Sequence, residues 1–414
     1  MRRTDDLHRD DEALRGRDVV VFSNDWDGDP LSKTHIMRIL ARDNRILWVN
    51  SIGNRAPRVN AHDVNRIVRK VQAFTQGLCE VEKNIFVLSP LVLPFYGKVA
   101  RRVNGSALRT EVRAAMRRLG FKRPISWSYL PASATVSGTL GEDLVVYQCV
   151  DEFSAFSDAN AEHILALERH LLVKADLVIT SSERLREKKS QVNPHTQLVR
   201  HGVDWNHFVR ACDPSTRIPD GIAALPHPVI GFFGLIADWI DLKALEACAR
   251  AYPEGTVVLI GKIVPGLDVS RLEKLPNVSF LGRKPYADLP AYSRAFDVAL
   301  NPFRVNELTL NANPLKVREY LAAGLPVVSS PIPEVERLGL CRIARTPEEF
   351  VLRVDECLAE GAGPSMERAL RIFHESWDAR VDDIRRYVAA ASLRRRARER
   401  GVYDLAILPV PGEA

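Results

Sequence analysis

The feature that most limits what this chain can fold into is an alternation of two periods, present in two series with a break between them. Apolar runs of strand length recur at 18–23 (DVVVFS), 45–50 (RILWVN), 84–88, 124–129, 144–150 (LVVYQCV), 176–181 and 196–200. Each run is apolar on both faces, and helical stretches fill most of the gaps. That is the pattern of a parallel sheet covered on both sides. The pattern lapses over 203–227, a stretch rich in Pro, Asp and short polar residues that reads as a linker. A second series follows at 229–234 (VIGFFG), 256–261 (TVVLIG), 278–282, 297–303, 326–330 and 340–344. The expected architecture is α/β, with two doubly wound Rossmann-like domains at 17–202 and 228–373. Their strand carboxyl ends then face a shared ligand cleft.

Composition narrows the class. Of the 414 residues, 46% are hydrophobic and 27% charged, as in ordinary soluble globular proteins. No apolar run reaches the eighteen or so residues a membrane span needs. Residues 1–16 have no apolar stretch of the signal-peptide kind and read as a disordered tail; 394–414 read as a basic, flexible one. Six Cys form no CxxC and no zinc-like spacing, so they are expected to be free thiols in a reducing compartment. The expected location is cytoplasmic.

Residues 313–330 read NPLKVREYLAAGLPVVSS. Asn313 suits an N-cap, Pro314 a first helical position and Gly324 the position past the end, so a helix is expected from about 314 to 323. Its free amides favour an anion. Lys316 in the first turn opposes the helix dipole unless a phosphate lies in front of it. Glu319, one turn on, suits the vicinal hydroxyls of a ribose. The spacing fits equally well an i,i+3 ion pair on a solvated face.

Two stretches are expected on the facing domain. SNDWDGDPLSKTHI (23–36) follows the first strand and places Asp25, Lys33 and His35 near the cleft. Its Asp25-Trp26-Asp27 resembles a metal–diphosphate motif, but turn and cap roles suit it better, and no metal or other cofactor is expected. His35 fits a structural role as well as an acceptor contact. YQCVDEFSAF (147–156) puts Asp151 at a strand's carboxyl end, where it either orients a substrate hydroxyl or caps the next helix.

Several segments together resemble retaining, family-4-type glycosyltransferases of the GT-B fold. REYLAAGLPVV matches the second half of that family's signature helix, with Glu319 on the second of its two Glu. SSERLREK (181–188), VRHGVDWNHF (199–208), VSFLGRKPYADLPAYSRAFDVALNPF (278–303) and SWDARVDDI (376–384) resemble further landmarks in the family's order. The last is the helix, expected at 374–393, that crosses back to the first domain. The likeness covers roughly residues 17 to 390.

The resemblance implies transfer of a sugar from a nucleoside-diphosphate sugar to a glycan or lipid-linked acceptor, with retention, in cell-surface polysaccharide synthesis. It implies a donor site of Gly234, Arg283, Asn311, Asn313, Pro314, Leu315, Lys316 and Glu319. Lys316, Glu319 and Asp151 are the catalytic candidates, and Asp25, His35 and Asp151 lie on the acceptor side. Two departures stand out. The family's first Glu falls on Asn311, and its basic phosphate loop is replaced by GLIADWIDLK (234–243), leaving Lys316 and then Arg283 to face a diphosphate. These departures keep open a non-catalytic sugar-nucleotide-binding module; a sugar-nucleotide 2-epimerase is a further alternative.

Positive charge is concentrated. From Lys98 to Arg123 there are nine basic residues and one acidic, along an apolar stripe and after the apolar loop 90–97. The segment 90–123 reads either as a contact for an anionic membrane or as a surface helix on the sheet. No nucleic-acid motif accompanies the charge, and no nucleic-acid partner is expected.

Overall fold

Buried apolar runs form two sheets in the computed structural model, which describes residues 14–51, 77–90 and 98–401. The first holds β1 (Asp18–Phe22), β2 (Arg45–Val49), β3 (Leu78–Glu82), β4 (Ile85–Leu88), β5 (Ile125–Ser128), β6 (Leu144–Cys149), β7 (Leu177–Thr180) and β8 (Thr196–Leu198). Their order is β3-β4-β2-β1-β5-β6-β7-β8. Its pairs are parallel except β3 with β4. The second sheet holds β9 (Val229–Phe233), β10 (Thr256–Ile260), β11 (Val278–Phe280), β12 (Val298–Asn301), β13 (Val327–Ser329) and β14 (Arg342–Ile343). It is parallel in the order β11-β10-β9-β12-β13-β14. Strand order reverses between β1 and β5 and between β9 and β12, and such switch points are where open α/β sheets bind ligands.

The expected strand runs each contain a strand. β3 is an addition: its LCEVE is only partly buried, with Glu80 and Val81 exposed, so it lacks the unbroken apolar run of a central strand. The linker is folded rather than open, with short helices at Trp205–Phe208 and Asp220–Ala223.

The chain crosses between domains twice, side by side. Val203 bridges Ser376 in parallel, and its amide donates to the Glu375 carbonyl at 2.8 Å. The helix Trp377–Glu399 then lies against Ser32–Leu40 of the first domain. Trp377, Val381, Ile384 and Val388 are buried in that domain's core. At about 1.5–3 kcal/mol per buried side chain they contribute roughly 6–12 kcal/mol, before ordering costs, to holding the domains together.

Two boundaries differ from expectation, and one open reading is narrowed. Leu14 is fully buried, and its carbonyl accepts from Asn44 and Arg385, so the docked chain begins before residue 17. The crossing helix runs to Glu399, beyond 393, because Arg395 pairs with Asp176 at 2.6 Å. The helix Lys98–Leu119 exists, but Leu108, Val112 and Met116 pack on β1 and β2, so that part of its apolar stripe faces the sheet. Arg113, Arg117, Arg118, Lys122 and Arg123 are exposed. The 91–97 loop and the side chains of 98–103 lie outside the described residues.

Candidate functional site

The loops at the carboxyl ends of both sheets meet. Ser182 Oγ donates to the Asn311 carbonyl at 2.7 Å, and Asn313 Nδ2 donates to the Ser181 carbonyl at 2.7 Å. Arg200 pairs with Glu334 at 2.6 Å, and Arg283 with Asp29 at 2.8 Å. Ser181 and Ser182 follow β7, Asp29 follows β1, Arg283 follows β11 and Asn311 follows β12. The cleft between the domains is therefore walled by the loops where the sequence places its candidates.

The helix predicted from Asn313 onward spans Leu315–Ala322 and ends at Gly324, whose φ is +74°. It starts one residue later than expected, and Asn313 does not cap it. Instead the Asn313 amide group reaches Ser181 and accepts from the buried Arg318, while its carbonyl accepts from His201 Nδ1 at 2.8 Å. No side chain caps the helix, so its first-turn amides are left to a ligand or to water. Pro314 supplies no donor and sets the entry angle.

Lys316 is not on a solvated face, which removes the simple ion-pair reading. Its Nζ lies over the rings of Phe232 and Phe303, 4.8 and 4.7 Å from their centroids. A Cβ added to Gly234 would sit 3.0 Å from that Nζ, and Gly234 has a φ of +133°. Glycine at the end of β9 therefore lets the ammonium lie against the backbone. Burial lowers the Lys316 pKa to about 8, against the pull of Glu319. Burial raises Glu319 to about 7; Lys316 opposes the shift, while Asp204 and Asp29 add to it. One helix thus carries a cation that lacks a full counter-charge and a carboxyl that lacks a full proton or partner, side by side. A bound diphosphate and a ribose diol supply what each lacks.

The remaining donor candidates divide. Arg283 is at the cleft, but its fork is occupied by Asp29. Asn311 is fully buried, its Nδ2 donates to the Glu307 carbonyl at 2.6 Å, and its Oδ1 is unpartnered. The position matching the family's first Glu is thus packed beneath the cleft. Leu315 packs, partly buried, against the first domain's core.

On the acceptor side, Lys33 lies between two carboxylates. Asp151 and Asp25 both raise its pKa, but burial outweighs them and lowers it to about 8. Burial raises Asp151, and Lys33 opposes that shift. Asp151 is no helix cap: Asn160 caps the helix Ala161–Lys174, and the turn Phe153–Ala155 has no side-chain cap. Its neighbour Glu152 is committed to buried Lys189. Asp25 accepts from the Ser51 amide at 3.0 Å, a turn role, and its charge acts on Lys33. Among the described residues, no three His, Cys, Asp or Glu side chains converge as metal ligands.

His35 departs from its acceptor assignment. It stacks on Trp377 at 5.4 Å and tilts toward Tyr286 at 5.9 Å, so it packs where the crossing helix meets both domains. Burial lowers its pKa to about 4, keeping it neutral. Sequence reasoning missed the parts around it. Tyr286 stacks on His207 at 4.6 Å, its hydroxyl is buried without a partner, and burial and Glu319 raise its pKa. These rings come from four separate segments, and no single stretch announces them.

Comparison with known proteins bears on the fold. Residues 227–360 match the family model described as glycosyl transferases group 1. TuaH of Bacillus subtilis, named as a teichuronic acid biosynthesis glycosyltransferase, is 25% identical over 340 residues, covering 77% of this chain and 82% of that protein. The sucrose-phosphate synthase of Thermosynechococcus elongatus superposes with a TM-score of 0.60 at 15% identity, covering 94% of this chain and 99% of that one. Anabaena HepE, solved with UDP-glucose, gives a TM-score of 0.60 at 15% identity over 93% and 99% of the two chains. The fold is GT-B. No helix among the described residues is long and apolar enough to cross a membrane.

Proposed function

We infer that this chain, which carries a glycosyl transferases group 1 domain on a GT-B fold, transfers a sugar from a nucleoside-diphosphate sugar to a glycan or lipid-linked acceptor. The observation that carries this reading is the pairing of Lys316 and Glu319 beside Gly234, at the uncapped start of the Leu315–Ala322 helix. The diphosphate lies against the Lys316 ammonium and the first-turn amides, and the ribose hydroxyls donate to Glu319. Arg283 joins the phosphates once Asp29 releases it. These groups stabilise the negative charge that grows on the departing diphosphate, which is the main electrostatic task in such a transfer.

Retention follows from a reaction on one face of the sugar. The bond from the anomeric carbon to the diphosphate oxygen breaks, the bond to the acceptor oxygen forms on the same face, and the acceptor's proton passes to the leaving diphosphate. Asp151 orients the acceptor hydroxyl, with Lys33 holding its charge in place. The divalent ion that other sugar transferases use has its counterpart here in Lys316 and the helix amides.

The similarity to TuaH supports cell-surface polysaccharide synthesis as the setting. The exposed basic side chains of Arg113, Arg117, Arg118 and Lys122 support peripheral attachment to the cytoplasmic face of the cell membrane. One observation favours a second reading, a binding module without turnover: Asn311 brings no carboxylate to the sugar and is buried. A panel of nucleotide sugars, assayed with and without acceptor glycans, separates the readings. Nucleoside diphosphate release with a new α- or β-linked product establishes transfer, an isomerised sugar identifies an epimerase, and binding without release identifies the module.

A further inference from the structure

The loop after β9 does something a phosphate loop does not. Within Gly234–Asp241, Ile236, Ala237 and Ile240 are buried, while Leu235 is exposed and Trp239 partly so. The loop is pinned on both flanks. The Ile236 amide donates to the Lys262 carbonyl and the Val264 amide to the Ile236 carbonyl. On the other side the Arg304 amide donates to the Trp239 carbonyl at 2.8 Å, and the Asp241 amide to the Pro302 carbonyl at 2.7 Å. Trp239 is therefore held on a pinned backbone, its ring partly buried against the second domain's core. Phe156 meets it from the other domain edge to face, centroids 6.0 Å apart and planes at 81°. Phe153 adds a third ring, 6.4 Å from Phe156. The two Phe follow Asp151 on its own loop, and Trp239 follows Gly234, which touches Lys316.

We propose that Trp239, Phe156 and Phe153 form an acceptor subsite that stacks against the C–H face of a pyranose ring while Asp151 accepts a hydrogen bond from its hydroxyl. The ring faces are electron-rich and meet the weakly positive axial C–H groups of a sugar. The carboxylate beside them takes the polar edge. A hydrocarbon chain is the poorer occupant, because the exposed Asp238 directly precedes Trp239 in the chain and would lose water to it. The subsite lies between the two domains, with Trp239 on one and Phe156 and Phe153 on the other. This inference rests on the glycosyltransferase reading and assigns its acceptor a sugar terminus.

The test uses the full chain with Trp239→Ala, Trp239→Phe and Phe156→Leu, each checked for an unchanged thermal transition. UDP binding is measured by calorimetry. Saturation-transfer NMR with UDP present then follows a panel of methyl pyranosides, neutral, N-acetylated and uronic. Trp239→Ala should reduce pyranoside saturation transfer and raise the KM for a saccharide acceptor roughly tenfold, with Trp239→Phe in between. UDP affinity should stay within about twofold of wild type, since the donor contacts lie on other residues. Unchanged pyranoside signals and acceptor KM in folded Trp239→Ala overturn the subsite. A wild type that binds pyranosides but not UDP overturns the donor reading and leaves the ring subsite standing, so the two failures are told apart.

Discussion

Replacing Lys316 by Met should move stability and ligand binding in opposite directions. Met keeps an unbranched stem over Phe232 and Phe303 and removes the charge. The fold lowers the Lys316 pKa from 10.5 to about 8. At about 1.4 kcal/mol per pKa unit this is at most about 3.5 kcal/mol of cost for holding an ammonium at this site. The two ring contacts return about 0.5–1 kcal/mol each, leaving a net cost of about 1.5–2.5 kcal/mol. The sign follows from proton linkage: the folded pKa lies below the unfolded one, so the unfolded chain binds more protons between pH 8 and 10.5. The penalty is full below about pH 8 and fades as pH rises toward 10.5. The Met variant should therefore melt about 2–6 °C higher than wild type at pH 7, with the gain shrinking at pH 10. Its UDP affinity should fall by about tenfold to over a hundredfold, the loss expected from a charge-assisted hydrogen bond worth about 1.5–3 kcal/mol. Scanning calorimetry and isothermal titration read the two effects. A variant that melts lower and binds UDP like wild type would refute the reasoning on both counts.

Further predictions come from the neighbouring groups. Glu319 is ionised above about pH 7 and Lys316 protonated below about pH 8, so UDP affinity should peak between these values. Glu319→Gln should remove the acid limb of a calorimetric pH series; a limb that persists assigns it elsewhere. The exposed Asp29–Arg283 pair contributes about 0–1 kcal/mol to stability. Asp29→Asn should leave the melting point nearly unchanged and widen the ligand-free cleft in small-angle scattering, whereas a large destabilisation would contradict a surface latch. Replacing Arg113, Arg117 and Arg118 by Gln should weaken sedimentation with anionic vesicles by roughly 1 kcal/mol per charge, less at high salt, with UDP affinity unchanged. Sedimentation equal to wild type would return those residues to a plain solvated face. Sugar transfer should survive excess EDTA, and Asp27→Asn should not alter any response to Mg²⁺ or Mn²⁺; strict metal dependence abolished by that substitution would make Asp25-Trp26-Asp27 a metal site.

The sheets were legible because parallel strands buried on both faces leave unbroken apolar runs, as in VVVF after Asp18 and VVLI after Thr256. β3 escaped because it is an edge strand, exposed at Glu80 and Val81 and irregular in register between Glu80 and Glu82, so no apolar run marks it. Lys316 and Glu319 were legible as a pair because three residues on a helix place them together. What each of them touches was not, since Phe232 in β9 and Phe303 just past β12 reach Lys316 from distant segments. Asn313 misled for a physical reason: a good capping residue before a helix is also a good interdomain donor, and here the Ser181 carbonyl takes it. His35 read as a cleft residue because its stretch follows the first strand toward the cleft, but it lies in the helix Ser32–Leu40 and Trp377, more than three hundred residues later, stacks on its ring. Pairings at that separation, like Arg283 with Asp29, leave no local trace in sequence.

The central claim is that the start of the Leu315–Ala322 helix receives the donor's diphosphate. Diffraction from crystals of the protein grown with UDP tests it most directly. The account predicts diphosphate density within hydrogen-bonding distance of Lys316 Nζ and the first-turn amides, with both ribose hydroxyls on Glu319. Diphosphate held instead by a cation on Asp25 and Asp27, with Lys316 still lying on Phe232 and Phe303 and far from any phosphate, would contradict it.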